Sequence, residues 1–312
     1  MQRNEPTVTA CIPYYAGKRY IRRAVEGLLT QTHRDLRIIV VNDGDADPPW
    51  EQLAAFRDPR LVLFSLMRNH GGPFFANAVV MRAISSPWFL VQEQDDWSDP
   101  RRIEHLLHLA STSHADAALS AQVFHRENID GSSTPVNVKW THLGRCVCPI
   151  CPAGSRCQQC FVDVELTTQY RHRAPHTALF RTELLQRIGG YYAGLHLHFD
   201  SLLMNLVLMT GSIVHTKAPL YHRLLRPDSI THAPATGFSS RASWAERKTI
   251  TRMYEDSFAD YRQYLRGQIS SDKLTGAIRR RCQSRVTAHE WQELAYETKR
   301  LSAQLNASRV RK

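Results

Sequence analysis

TVTACIPYYAGKRYIRRAVEGLLTQTHRDLRIIVVNDG, residues 7–44, decides the fold, because it runs apolar stretch, helical pattern, apolar stretch with short joins. Residues 7–15 are apolar and β-branched and reach a proline. In RYIRRAVEGLLTQT (19–32), Ile21, Ala24, Val25, Leu28 and Leu29 recur at helical spacing with arginines between them. That spacing predicts a helix lying on a sheet with its charges outward. LRIIVVNDG (36–44) is continuously apolar until Asn42-Asp43-Gly44, which predicts a buried strand closed by a turn. Two such strands joined through a helix predict parallel neighbours with a right-handed crossover.

The same grammar continues. WEQLAAF (50–56) predicts a short helix, RLVLFSL (60–66) a third strand, FFANAVVMRAI (74–84) a helix after the HGGP turn, and PWFLVQEQ a fourth strand. Strands alternating with crossover helices imply a parallel, doubly wound sheet, and such sheets bind ligands beyond the carboxyl ends of their strands. Pro13-Tyr14-Tyr15, Asn42-Asp43-Gly44 and Glu93-Gln94-Asp95-Asp96 all fall there. RRIEHLLHLA (101–110) predicts a helix and ADAALSAQVFH (115–125) a strand. Residues 126–175 lose periodicity. Regularity returns in HTALFRTELLQRIGGYY (176–192), SLLMNLVLMTG (201–211, an apolar helix) and SIVHTKAPLYHRLL (212–225, strand-like). From Ser239 onward the chain reads as polar helix, with Trp244, Tyr254, Phe258, Tyr261 and Tyr264 at spacings that suit one packed face.

VQEQDDWSDP (91–100) gathers Glu93, Asp95 and Asp96 at the end of a buried strand, with Asp99 close behind. Crowded carboxylates repel one another and lose solvation, so a divalent cation is one reason to keep them together. The other is an acidic turn whose Asp99-Pro100 starts the next helix. The 312 residues carry a formal net charge of +11, which favours anionic partners such as nucleotide phosphates. Late basic segments, AIRRRCQSR (277–285) and SRVRK (308–312), lack any nucleic-acid-binding signature. With no secretory signal pattern and no apolar run long enough to span a bilayer, the expectation is a cytoplasmic protein, compatible with peripheral work at a membrane. In that compartment cysteines point to metal rather than to disulfides.

The order VTACIPYYAGKRYIRRAVEGLLTQTHRDLRIIVVNDG, RNHGGPFFANAVVMRAI, FLVQEQDDWSDPRRIEHLL, and later IGGYYAGLHLHFDSLLMNLVLMTG with PLYHRLLRPDSIT, resembles the inverting family 2 glycosyltransferases of GT-A fold. The resemblance implies a Rossmann-like, mostly parallel sheet with flanking helices. It sets the D-x-D position on Glu93-Gln94-Asp95, with Asp95 as the metal-diphosphate contact, Asp96 as its substitute, and Mg²⁺ or Mn²⁺ as cofactor; Glu93 is a candidate for the ribose. It places Pro13, Tyr14 or Tyr15, and Asp43 around the nucleotide base, and Arg68, Gly71 and Gly72 in the loop that approaches the nucleotide. A plain strand end and plain turns are the alternative for these positions. It puts Asp200 forward as the general base, with helix capping as its alternative role. Phe199 departs from the acidic pair common in relatives. Arg226 takes the place of a metal- or phosphate-holding histidine; an arginine cannot ligate a metal, so it is a candidate for the nucleotide phosphate, and His222 reads as structural.

CVCPICPAGSRCQQC places Cys146, Cys148, Cys151, Cys157 and Cys160 in one short span, with His142, His172 and His176 near. Two C-x-x-C units are a zinc-ligand pattern, and the expectation is a structural Zn²⁺ ordering an insertion; an iron-sulfur cluster, redox thiols or inert cysteines are the alternatives. The expected organisation is a nucleotide-sugar-binding half (1–125), the Cys-rich insertion (126–175), an acceptor-binding and catalytic half (176–235), and a C-terminal helical extension (236–312). The expected activity is transfer of a hexosyl or N-acetylhexosaminyl group from a UDP-sugar to a saccharide, lipid-linked or natural-product hydroxyl. The rivals are a nucleotidyltransferase on a related fold and a zinc-stabilised nucleic-acid-binding module.

Overall fold

The computed structural model describes residues 7–128, 131–139, 161–163, 175–226, 229–230 and 233–310. The cysteine segment, with Cys146, Cys148, Cys151, Cys157, Cys160 and His142, lies outside the described residues. In chain order the elements are β1 (Val8–Tyr14), α1 (Lys18–Leu29), β2 (Leu36–Asn42), α2 (Trp50–Ala54), β3 (Leu61–Ser65), α3 (Pro73–Ala83), β4 (Trp88–Val91), β5 (Trp97–Ser98), α4 (Arg102–Thr112) and β6 (Ala117–Glu127). They continue with β7 (Ser133–Lys139), β8 (Phe161–Asp163), β9 (Ala178–Arg181), α5 (Thr182–Arg187), α6 (Phe199–Thr210), β10 (Ile213–Leu225), α7 (Arg241–Leu265), α8 (Ser271–Gln283) and α9 (Ala288–Val310).

All seven residues of β1 are buried, as a strand covered on both faces requires. Its alternation divides them: Val8, Ala10, Ile12 and Tyr14 join a core with Ile21, Ala24, Val25 and Leu28 of α1 and with α4. Cys11 joins the opposite core with α3, α6 and the C-terminal helices. The sheet order is β3-β2-β1-β4-β9-β6-β10-β5. β3, β2, β1 and β4 are parallel, as the sequence predicts. The parallel run then ends, because β9 is antiparallel to both β4 and β6. β9 is a four-residue run that leads straight into α5, too short to carry a period of its own. β7 lies in the stretch that reads as aperiodic, and pairs antiparallel with β6.

The C-terminal helices belong to the main core. Ile250, Met253, Leu274, Ile278, Leu294, Leu301 and Leu305 pack with α3 and α6. α9 also seals the open edge of the sheet: Met67 N donates to Glu297 Oε1 (3.0 Å), Arg300 Nη1 to Ser65 O (3.2 Å) and Gln304 Nε2 to Leu63 O (2.9 Å). An edge strand otherwise offers unpaired backbone groups to other chains. The single packed aromatic face expected of this region is only partly realised. Tyr254 is buried, and Phe258 and Tyr261 pack against the core, whereas Trp244 is 63% exposed and Tyr264 37%. No helix among the described residues is long and apolar enough to cross a membrane.

Because α9 is core rather than appendage, Leu301→Ala should lower the unfolding free energy by about 2–5 kcal/mol, while Leu265→Ala, at a 63% exposed position, should stay within about 0.5 kcal/mol. Urea denaturation of the two variants checks this.

Candidate functional site

Three strand ends build the site. At the end of β1, Tyr14 turns into the core and is 1% exposed, while Tyr15 is 52% exposed. Burial, followed by the charge of Asp45, pushes the Tyr14 phenol up to about 12. Of the two tyrosines expected near a base, Tyr15 is the one with a ring face to offer. Pro13 is buried in the strand. Gln94 holds Tyr15 from across the cleft: its Oε1 accepts from Tyr15 N and its Nε2 donates to Tyr15 O, both at 3.0 Å. Gln94 therefore positions the β1 loop by imitating a strand partner.

At the end of β2, Asp43 is 4% exposed and accepts from His70 N (3.0 and 3.1 Å), with His70 Nδ1 at 3.0 Å from Oδ1. The His70 ring stacks on Phe75 with centroids 3.7 Å apart. Gly44, with φ +74, makes this approach possible: a Cβ there would sit 2.3 Å from Arg68 C and Asn69 N. Gly72 serves close approach too, since a Cβ on it would meet His196 O at 2.4 Å. His196 Nδ1 in turn lies 2.7 Å from His70 O, so this ring nitrogen carries the hydrogen. Arg68, which the resemblance places in the loop that approaches the nucleotide, pairs with Glu293 of α9, Nε to Oε1 at 2.6 Å and Nη2 to Oε2 at 2.5 Å. The C-terminal helix thus fixes the loop that follows β3, a coupling that no local motif announces.

At the end of β4 the acids separate into different environments. Asp96 is 3% exposed, and both its oxygens are engaged, by Tyr221 Oη (2.8 Å) and Leu224 N (2.8 Å). Burial, then the charge of Asp95, raises its carboxyl well above the usual range. Asp95 accepts from Arg226 Nε at 2.5 Å, and Arg226 lies over the Tyr20 ring at 4.8 Å. Glu93 is partly exposed. Burial, then Asp95, pushes its carboxyl from 4.5 to about 7; Arg223 opposes the rise and Asp200 adds to it. Glu93 and Asp200 also both raise the buried Tyr191 phenol, after burial itself. The expected base, Asp200, therefore lies within electrostatic reach of Glu93, which in turn feels Asp95.

Asp200 occupies the first turn of α6, where a carboxylate complements the helix dipole. The N-cap position belongs to His198, at φ 56, so simple capping does not describe Asp200. Its Oδ1 accepts from Ser201 N at 2.8 Å. Phe199 is 0% exposed and packs edge-on against Phe74, which explains why an apolar residue stands beside the acid. His222 behaves as a structural residue: its ring stacks on Trp97 and its Nδ1 is 3.0 Å from His125 Nε2.

Sequence reading missed the scaffold beneath the acids. Arg102, 0% exposed, donates from Nη1 to Gln92 Oε1 (3.2 Å) and Ser98 Oγ (2.9 Å), and from Nη2 to His176 O (2.5 Å). Its guanidinium lies 4.7 Å from the Tyr221 ring centre. Tyr221 accepts from Glu93 N (3.3 Å) while donating to Asp96. The available signal was Gln92, a polar residue directly after an apolar strand. Arg23 completes the site, 3.9 Å over Trp97 and donating to Asp95 O at 3.2 Å. Among the described residues, no group of three or more His, Cys, Asp or Glu is placed to hold a metal by itself.

Residues 9–189 match the model of the family described as Glycosyl transferase family 2. The chain is 32% identical over 104 residues to an uncharacterized glycosyltransferase of Rickettsia typhi (strain ATCC VR-144 / Wilmington), covering 33% of this chain and 32% of the relative. It is 32% identical over 114 residues to the succinoglycan biosynthesis protein ExoO of Rhizobium meliloti (strain 1021), covering 36% of this chain and 32% of ExoO. The chain thus matches about a third of the length of these curated relatives. It is also similar to S. aureus TarS 1-349 in complex with UDP-GlcNAc, with TM-score 0.60 and 15% identity over 93% of this chain and 79% of that one. For the complex of TarS 1-349 with UDP the values are 0.55 and 16%, over 80% and 70%. At such identity the likeness is one of fold, the mixed α/β GT-A architecture.

The Glu93 shift has a testable sign. Its carboxyl titrates near 4.5 in the unfolded chain and near 7 in the fold. Folding therefore costs nothing through Glu93 below pH 4.5, and the cost grows as pH rises to about 7, reaching on the order of 3 kcal/mol. In metal-free protein, Glu93→Gln should be more stable than wild type at pH 8 and indistinguishable at pH 4, as read by thermal melting at both values.

Proposed function

The chain belongs to glycosyl transferase family 2, and on that premise we propose that it transfers a hexosyl or N-acetylhexosaminyl group from a UDP-sugar to an acceptor hydroxyl, with inversion. The observation that carries the reading is the meeting of Glu93, Asp95 and Asp200 in one electrostatic neighbourhood, felt as the upward push on Glu93. The TarS structures with UDP and UDP-GlcNAc support UDP as the nucleotide. The rival readings as nucleotidyltransferase or nucleic-acid module gain nothing from the family match.

In this reading Tyr15 offers its exposed ring to the base, and Asp43, set by His70, accepts a hydrogen bond from the uracil N–H. Glu93 and Asp95 fit a Mg²⁺ or Mn²⁺ ion, since such ions bind one or two carboxylates and take further ligands from substrate phosphates. A raised, part-buried carboxyl is the group that a nearby cation would relieve. Bound there, the ion would supply charge neutralisation of the departing diphosphate. Asp96, with both oxygens engaged by protein, anchors the acid loop. Arg226 and Arg23 hold the Asp95 side chain and backbone. The Asp200 carboxylate takes the proton of the acceptor hydroxyl while its oxygen forms the new bond to the anomeric carbon. The bond from that carbon to the diphosphate oxygen breaks on the opposite face, and the electron pair leaves with UDP. A structural zinc in the cysteine segment remains part of the proposal for residues beyond those described.

Calorimetric titration with UDP, GDP, dTDP and CDP, with Mn²⁺ and with EDTA, tests the donor half. UDP should bind with Mn²⁺, and the heat should vanish with EDTA and in Asp95→Ala; no nucleotide binding under any condition would sink the reading. For the chemical step, Asp200→Asn should cut kcat by about 10²–10⁴ with little change in donor KM, measured by UDP release. Equal losses in kcat and donor binding would instead make Asp200 a structural residue.

A further inference from the structure

Resting on the glycosyltransferase reading, we propose that Phe238, Trp244 and Arg247 form a platform for the acceptor, and that the acceptor is a sugar chain carrying anionic groups. Large aromatic side chains normally bury their area, yet Phe238 is 49% exposed and Trp244 63%. Phe238 sits beside the start of α6. The Phe238 ring stacks on His198 with centroids 5.7 Å apart, and His198 is the residue that opens α6, two positions before Asp200. His198 Nε2 lies 2.7 Å from Ser243 Oγ, so the first turn of α7 and the start of α6 are tied together.

Arg247 gives the platform its charge. Its guanidinium carbon is 5.2 Å from the Phe238 ring centre and 5.8 Å from that of Trp244. No carboxylate among the described residues pairs with it. The adjacent Glu246 is committed elsewhere, accepting from His196 N (2.9 Å) and Leu197 N (2.7 Å). A planar guanidinium stacked on rings keeps its N–H edge free for a carboxylate or phosphate. Exposed flat rings match the apolar face of a pyranose, at low entropic cost because the rings have few rotatable bonds. One turn of α7 therefore does two things. Glu246 braces the backbone that leads to Asp200, and Trp244 with Arg247 faces outward where an acceptor would approach.

A cavity of about 470 Å³ lies between the start of α7 and the loop after β3. Thr236 and Ala242, which flank Phe238 and Trp244 in sequence, line it together with Leu197, His196 and Gly71. The residues before the base and the loop after β3 thus share one cavity wall with the chain on either side of the platform, although Phe238, Trp244 and Arg247 themselves stand outside it. An acceptor chain seated on the rings would lie beside His198 at the start of α6, two residues before Asp200.

The test is calorimetric titration with three hexasaccharide-sized probes: an oligogalacturonate, a phosphorylated mannan oligosaccharide and neutral maltohexaose. Wild type, Phe238→Ala, Trp244→Ala and Arg247→Gln are compared, each also titrated with UDP and Mn²⁺. At least one anionic probe should bind more than 10-fold tighter than maltohexaose. The two alanine variants should weaken that binding by 10-fold or more, and Arg247→Gln should erase the preference for the anionic probe. UDP binding should be unchanged throughout, which also shows that the variants fold. If no probe binds while UDP does, or if the variants bind as wild type does, the platform is wrong and the transferase reading stands. If Trp244→Ala instead loses binding to phosphatidylglycerol vesicles and to no sugar, the surface is a membrane contact and the proposal falls. Failure of UDP to bind wild type would strike the transferase reading itself.

Discussion

Three carboxylates at the end of one buried strand set the terms for the rest of the molecule. Glu93, Asp95 and Asp96 cannot share a partly desolvated loop without partners. The fold answers each one differently: Tyr221 and a backbone N–H for Asp96, Arg226 for Asp95 and, among the described residues, the opposing charge of Arg223 for Glu93. The unequal treatment separates an anchored acid from two that remain electrically demanding. Beneath them Arg102 holds Gln92, Ser98 and the carbonyl of His176 in one buried network. A buried guanidinium is costly unless its hydrogen bonds are made, so this network ties β4, β5 and the segment entering β9 into a single arrangement.

The second organising device is α9. Its Glu293 takes Arg68, its Glu297 takes Met67 N, and Arg300 and Gln304 reach β3 carbonyls. One helix thereby closes the sheet edge and sets the loop that carries His70, which in turn sets Asp43. The C-terminal helices shape the nucleotide side from afar, although nothing in their sequence resembles a binding motif. α7 plays the matching part on the other side, where Glu246 braces the chain leading to Asp200.

Much of the parallel half was legible because its signals are local. The apolar runs at 7–15, 36–44 and 60–66 and the helical spacing at 19–32 fell within a few residues of β1, β2, β3 and α1. The strand ends, and hence the candidate residues on them, followed from topology. β9 was not legible, since four residues carry no period and their antiparallel pairing depends on neighbours far away in sequence. Trp244 was assigned to a packed face on spacing alone, and spacing does not say whether a partner exists to cover it.

By itself, then, the sequence determined the order of β1 to β4 and the helices between them, the clustering of acids beyond β4, and the candidacy of Asp43, Asp95 and Asp200. The elements and the acid cluster rest on patterns a few residues long, where side-chain periodicity and turn chemistry act directly, and the three candidates on the resemblance of the surrounding motifs to the family. Tertiary structure alone decided which tyrosine is buried and which exposed, that Arg68 answers to Glu293, that Asp96 is fully engaged, and that Glu93 is left to absorb the local charge. Those outcomes depend on desolvation and on partners distant in sequence, from Gln94 on Tyr15 to Glu293 on Arg68 and Tyr221 on Asp96, quantities that exist only once the chain has closed on itself.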